Sequence, residues 1–195
     1  MGVEGDSERA LVARLRLGDP AAFDEIYDAY RPRLFGFLLR LARRRDVAED
    51  LLEETWLRVV AHARRLRPDT RMGPWLFTVA RNLFWSHCRA RLVEEAVAGQ
   101  LIGLWPASSA LPSPFEEAAG QELAARAARA LARVPAFYRE VLLLVGVEGL
   151  TPAEAASVCQ VSPETLRKRL SRARALLAAE LETAAPAHPR KEVTP

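Results

Sequence analysis

Along this chain apolar side chains recur at intervals of three and four residues, interrupted by proline, glycine and short polar residues able to cap helices. That spacing puts them on one face of a 3.6-residue helix, and no useful run alternates with the period of two that a half-buried strand requires. Gly18 is expected to end a first helix, with Asp19 capping the next and Pro20 at its first position. After "RPRLFGFLLRLARRR", Asp46 is predicted to cap another helix, with Glu49 three residues on completing a capping box. Pro74 is predicted to start a helix running to about Arg91. Further helices are expected near 118–133 and 135–147, a short one from Pro152 and a long one from Pro163. The pattern predicts an all-α protein of two small helical domains joined by a flexible acidic linker.

Three helical faces carry candidate chemistry. In the last helix Leu166, Leu170, Ala173, Leu177 and Leu181 form one narrow stripe, while Arg167, Lys168, Ser171 and Arg172 lie opposite. Between Arg167 and Arg174 five of eight residues are basic and none is acidic. Thr151-Pro152-Ala153-Glu154 forms a capping box on the preceding helix, and Ser162-Pro163 repeats the cap-then-proline pattern. A short helix, a tight turn and a second helix with a basic outer face describe a helix-turn-helix, whose second helix enters the major groove. In "MGPWLFTVARNLFWSHCRAR" the residues Leu76, Phe77, Val79, Ala80, Leu83 and Phe84 face inward. Thr78, Arg81, Asn82, Trp85 and Arg89 share the other face, where indole can stack on an unpaired base. Packing of Trp85 against another helix explains the same pattern. In "DVAEDLLEETWLRVV" Ala48, Leu51, Leu52, Thr55, Trp56 and Val59 face inward, while Asp46, Glu49, Asp50, Glu53 and Glu54 share the opposite face. Those carboxylates are read either as a solvated face or as a docking surface for a basic partner.

Charge and composition narrow the classes. The net charge is only +3 over 195 residues. Residues 1–91 hold 17 basic and 13 acidic side chains, residues 92–121 four acidic and none basic, and residues 122–195 eleven basic and eight acidic. Two mildly positive segments therefore flank a negative one containing Pro106, Pro112 and Pro114, which block continuous helix. The last residues, "AAPAHPRKEVTP", read as a disordered tail. Two cysteines far apart, Cys88 and Cys159, fit a reducing compartment. The first residues do not pattern as a signal peptide, and no apolar stretch approaches the ~18 residues of a membrane span. A soluble, cytoplasmic protein without membrane insertion is expected. His87 beside Cys88 is a poor chelating pair, and no phosphate-cradling loop, nucleophile elbow or HExxH motif occurs. No catalytic residue, metal site or cofactor is expected.

The runs "DVAEDLLEETWLRV", "PWLFTVARNL" and "VEGLTPAEAASVCQVSPETLRKRLSRARALL", in this order and spacing, resemble the sigma-70 family of RNA polymerase sigma factors, more narrowly its extracytoplasmic-function group. The resemblance covers about residues 18–91 and 120–182. It implies a region 2-like domain over 7–91, a linker over 92–119, a region 4-like domain over 120–183 and a tail over 184–195. It further implies that Glu49, Asp50, Glu53 and Glu54 dock on the β′ clamp helices of core RNA polymerase. Arg67, Asp69, Thr70, Arg71, Thr78, Arg81, Asn82, Trp85 and Arg89 would then open and read the −10 promoter element, the "RPDTRMG" loop helping to hold a flipped base. Thr165, Arg167, Lys168, Ser171, Arg172 and Arg174 would read the −35 element, in a domain that also contacts the β flap. An anti-sigma factor is implied as a further partner. The chain departs from the family's pattern at Glu53, often glutamine, at Ser86, frequently aspartate, at Gln160, usually glycine, and at Lys168, often serine. The rival readings are a helix-turn-helix regulator with an N-terminal sensing or dimerising domain, and a helical adaptor that binds proteins alone. The acidic helix and the Asn82–Trp85 face have no purpose in the first, nor the basic helix in the second.

Overall fold

The structure, a computed structural model, describes residues 3–97 and 121–183. Helices α1 (Val3–Arg16), α2 (Pro20–Ala42), α3 (Arg45–His62) and α4 (Met72–Val97) build the N-terminal unit. Helices α5 (Gln121–Arg133), α6 (Ala136–Leu142), α7 (Pro152–Cys159) and α8 (Pro163–Thr183) build the C-terminal one. A short 3₁₀ turn follows α3 and a π turn, Leu143–Val147, follows α6. No strand occurs among the described residues. The expected linker lies outside them except for residues 92–97, which are helical because α4 runs past Arg91 to Val97. The expected tail lies outside them too.

Cap chemistry explains most boundaries. Gly18 closes α1 at φ 81°, where a side chain would be strained, and Asp19 accepts a bond from the Ala21 amide at the start of α2. Thr151 and Glu154 bond each other's backbone at the start of α7, forming the expected box. Ser162 Oγ accepts from the Thr165 amide at the start of α8. Two expectations need correction. Asp46 does not cap α3, which begins at Arg45 after Arg44 in extended conformation; the Arg44 guanidinium binds the Asp46 carboxylate instead, and Glu49 pairs with Arg45 at 2.8 Å. Pro74 lies inside the first turn of α4, which starts at Met72, whose amide donates 2.8 Å to Glu8 Oε1 of α1. The helix expected over 135–147 ends as an α-helix at Leu142, and its last turn widens into the π turn.

Packing differs more from expectation than the elements do. Val12, Ile26, Leu34, Phe37, Leu38, Leu76 and Phe77 fill the N-terminal core, with the Phe37 and Phe77 rings edge to face at 5.3 Å. Leu143, Leu144, Val158, Leu166 and Ala173 fill the C-terminal core. These two sets belong to one continuous buried cluster rather than two separate ones. Helix α7 packs across α4, and α6 approaches α2. Arg139 of α6, 5% exposed, donates to the carbonyls of Arg40 and Leu41 at the end of α2 and of Ala132 and Val134 at the end of α5. Two helix C-termini, each the negative end of a dipole, thus share one cation. Burial, then the neighbouring Arg43 charge, lowers the Arg139 pKa to about 10, which leaves it charged at neutral pH. Arg43 terminates α2 in the left-handed region at φ 59° and sends its own guanidinium to Ala132 O, 2.9 Å away.

Candidate nucleic-acid interface

The basic helix α8 is positioned by its stripe. Leu166, Leu170 and Ala173 are buried against α6 and α7, and Leu177 and Leu181 are half-buried further along. Burying that face turns Thr165, Arg167, Lys168, Ser171, Arg172 and Arg174 outward, all exposed. Arg167, Lys168, Ser171 and Arg172 line one shallow groove together with Ala175. Lys168 pairs with Glu164 at 2.7 Å one turn earlier, while Arg172 makes no ion pair among the described residues. The turn feeding α8 depends on Gln160, which adopts φ 56°, ψ 43°. The left-handed conformation that a glycine would take freely is therefore held here by a side-chain-bearing residue, at a cost of roughly 1–2 kcal/mol. One arginine of the run is not where a DNA contact needs it. The side chain of Arg169 is 9% exposed, its guanidinium 3.6 Å over the Phe137 ring and 3.1 Å from Glu140 Oε1.

On α4, Leu76, Phe77, Ala80, Leu83 and Phe84 are buried. Thr78, Arg81, Asn82 and Trp85 are half-buried and Arg89 is exposed. Arg81, Asn82, Trp85 and Arg89 line a cleft whose other wall, Phe137 and Gln160, comes from the C-terminal unit. Arg81 Nη1 donates to Asn82 Oδ1 at 3.2 Å, and Arg89 Nη2 to Ser86 Oγ at 3.0 Å. The Thr78 hydroxyl donates back to Pro74 O at 2.7 Å. Trp85 does pack against another helix: its indole N–H donates 2.7 Å to Glu140 Oε2 of α6, and Arg81 Nε donates 3.1 Å to the same oxygen. Glu140 is fully buried and thus gathers three donors from two halves of the chain. Burial and then the Glu140 charge push the adjacent Cys159 thiol up to about 12, so it is neutral and unreactive as a nucleophile.

The loop before α4 projects Arg67 and Asp69, paired at 3.1 Å and exposed. Thr70 is half-buried, its amide donating to Arg67 O in the turn. Arg71 reaches Glu154 of α7 at 2.7 Å and Glu8 of α1 at 3.7 Å. Burial raises the Glu154 pKa, but the bonds from Thr151 and the Arg71 charge outweigh it and hold the carboxyl below its ordinary value.

On α3 the inward stripe is buried as expected, with Trp56 against Tyr27 and Phe23 of α2. Asp46, Glu49, Asp50 and Glu53 are exposed and Glu54 half-buried, pairing with Arg58 at 3.0 Å. Sequence reasoning missed Leu57, 66% exposed, and Val60, 61% exposed, on the same side of the helix. Their offset from the inward stripe was the available signal. A mixed carboxylate and aliphatic patch can hold a partner by burial as well as by charge. No cluster of His, Cys, Asp or Glu able to hold a metal exists among the described residues, and no described helix is long and apolar enough to cross a membrane.

Comparison with known proteins places both halves. Residues 26–92 match the Sigma-70 region 2 family and residues 124–177 match Sigma-70, region 4. The chain is 36% identical over 152 residues to the ECF RNA polymerase sigma factor EcfG of Rhodopseudomonas palustris, covering 77% of this chain and 80% of that one. It is 33% identical over 156 residues to SigM of Bacillus subtilis, another ECF RNA polymerase sigma factor, covering 80% and 93%. Among solved structures it resembles the sigma factor RpoE of Bartonella quintana, crystallised with the anti-sigma factor NepR, at 28% identity and TM-score 0.68, covering 84% of this chain and 98% of that one. With regions 2 and 4 both matched, in that order, and relatives aligned over most of their own length, the chain belongs to the sigma-70 family as an ECF sigma factor that directs RNA polymerase to initiate transcription at specific promoters.

Proposed function

We propose a division of labour among the three faces. The patch of Glu49, Asp50, Glu53 and Glu54, with Leu57 and Val60 beside it, docks on the β′ clamp helices of core polymerase. Residues Arg67, Asp69, Thr70, Arg71, Thr78, Arg81, Asn82, Trp85 and Arg89 open and read the −10 element. Melting here means trapping unpaired bases with binding energy, the indole stacking and the cations holding phosphates. No bond is made or broken by this chain, which acts as an initiation factor where polymerase and chromosome are, in the cytoplasm. Thr165, Arg167, Lys168, Ser171, Arg172 and Arg174 read the −35 element, and the domain carrying them contacts the β flap. The domain limits that go with this reading are 7–91 and 120–183, with the last turns of α4 leading into the linker. Because the Bartonella relative was crystallised with an anti-sigma factor, the reading also includes an inhibitory protein partner of that class.

The observation that carries the reading is the outward set on α8, complete and solvent-accessible once the leucine stripe is buried. Run-off transcription with core polymerase on a genomic promoter library tests it. Transcripts from a restricted promoter set, lost when Asn82→Ala is introduced and partly recovered on pre-melted templates, are the expected result. Promoter-independent output, or an unaffected Asn82→Ala protein, would refute the −10 assignment.

A further inference from the structure

Helix α1 lies ahead of the residues that match region 2, which begin at residue 26, and none of its side chains has a part in the reading above. Val12 and Leu15 of α1 are buried in the core, and Glu8 continues their spacing one turn earlier, so it too lies on the inward face. A carboxylate where an apolar side chain would pack needs a partner. Both of its partners stand at the end of the promoter loop. Glu8 Oε1 accepts from the Met72 amide at 2.8 Å, and Oε2 lies 3.7 Å from Arg71 Nε. Met72 opens α4 and is 1% exposed, so its amide is an orphan donor of a helix start with little water in reach. Arg71, the residue before it, carries only donors and cannot cap the helix itself. Glu8 therefore caps α4 from another helix, and its charge suits the positive end of the α4 dipole. The far end of the loop leans on α1 as well, since α1 packs on the 3₁₀ turn Ala63–Arg65. Leu66 and Met72 are thus buried at either end while Arg67, Asp69 and Arg71 between them are exposed.

We propose that Glu8 is a positioning residue for −10 recognition: by capping α4 at Met72 and drawing in Arg71, it fixes the shape in which Arg67, Asp69, Thr70 and Arg71 meet the unpaired strand. The proposal rests on the −10 assignment above and adds the group that holds the loop. A short loop anchored at both ends is already ordered, so it loses less freedom when it captures a base. Glu8 has the wrong charge to approach a phosphate and acts only through Met72 and Arg71. Both of its contacts lie within the N-terminal unit. Arg71 also bonds Glu154 of α7 at 2.7 Å, but the Met72 cap belongs to Glu8 alone.

Two substitutions in the full chain test this, neither at a DNA-reading position. Glu8→Gln keeps an acceptor for the Met72 amide and gives up the charge beside Arg71, whereas Glu8→Ala removes both. Amide hydrogen exchange followed by NMR reads the cap, urea unfolding reads global stability, and holoenzyme binding across single-base −10 and −35 variants reads recognition. Losing a cap bond shifts a local equilibrium about fivefold. In Glu8→Ala the Met72 amide is expected to exchange about fivefold faster, beyond any change in global unfolding. Discrimination at the −10 positions that face the loop is expected to fall roughly two- to fivefold, with −35 discrimination and core-polymerase binding unchanged. Glu8→Gln is expected to restore most of both losses. Base preference is a ratio within one preparation, so it stays readable even where Glu8→Ala is only partly folded. A merely structural role would lower stability and promoter output while leaving every base preference as in the wild type. That pattern would overturn the proposal, as would unchanged Met72 exchange in Glu8→Ala. Asp69→Ala tells the two possible failures apart. If it too leaves −10 preferences unaltered, the loop does not read the promoter and the −10 assignment has failed. If it alters them while Glu8→Ala does not, the assignment stands and Glu8 is not what positions the loop.

Discussion

Neighbouring arginines on α8 should fail in different ways when removed. Arg172 is exposed, lines the groove beside Lys168 and makes no ion pair among the described residues. Its truncation should leave the fold within about 0.5 kcal/mol of the wild type. If its guanidinium reads a base edge, the loss appears as discrimination: about 1–3 kcal/mol, or roughly five- to 150-fold, at one or two −35 positions. Arg169, three residues earlier, is stacked at 3.6 Å on Phe137 and bonded to Glu140. Removing it sacrifices a desolvated cation–π contact and a charged hydrogen bond, together on the order of 2–4 kcal/mol of stability, with −35 preferences unchanged. The assays are urea unfolding of each variant and holoenzyme binding across single-base −35 variants at several salt concentrations. Arg174→Ala serves as the reference for a phosphate contact: it should weaken every promoter alike and reduce the salt slope by about one unit. Equal, sequence-independent losses for Arg172→Ala and Arg174→Ala would show that α8 only grips the backbone. Altered base preference in Arg169→Ala would show that its inward placement is wrong.

Other expectations concern docking, opening and caps. Replacing Asp50, Glu53 and Glu54 together with alanine should weaken core-polymerase binding and make the remainder less salt-sensitive, whereas Leu57→Ala should weaken it with little change in salt dependence; a core-binding titration distinguishes them. Trp85→Ala should impair opening of duplex promoters more than of pre-melted ones, measured by permanganate footprinting, since the bubble supplies the unstacking in advance. Thr151→Ala should cost about 1 kcal/mol in thermal or urea unfolding, as the α7 cap is lost. The Glu154 carboxyl is held below its ordinary value of 4.5, so the stability it contributes is present above that pH and is lost as pH falls through its lowered folded value. Acid titration of stability should therefore be flatter in Glu154→Gln on that side.

Local chemistry was legible in the sequence where it decides locally. Asp19-Pro20, the Thr151 box and Ser162-Pro163 predict their helix starts because cap and partner lie within three residues. Asp46 misled because Arg44, a competing partner two residues away, takes its carboxylate. Arg169 was readable in part: at about 100° per residue it sits roughly 70° from the centre of the leucine stripe, much nearer than Lys168. Arg174 sits as far off on the other side and stays exposed, so the wheel alone cannot tell the two apart; the position of Phe137, 32 residues upstream, does. The contact between regions was not legible at all. Arg81 and Glu140 are 59 residues apart and Arg33 and Glu148 are 115 apart, with no periodicity linking them. The two segments patterned as separate amphipathic units, whereas in the structure their apolar residues join one buried cluster and α7 packs across α4.

The seat of Arg139 has a consequence for how the molecule comes apart. One guanidinium donates to the ends of both α2 and α5, and little of it is open to water. If the N-terminal unit unfolded alone, the C-terminal unit would keep a buried cation with half its acceptors gone; if the C-terminal unit unfolded alone, the carbonyls of Arg40 and Leu41 would lose their donor. That penalty links the melting of one unit to the melting of the other. Heating should give a single calorimetric transition whose van't Hoff and calorimetric enthalpies agree, although the chain is built from two modules. Arg139→Met should weaken that coupling and broaden the endotherm, while the shared apolar core and the bonds of Glu140 to Arg81 and Trp85 still link the units.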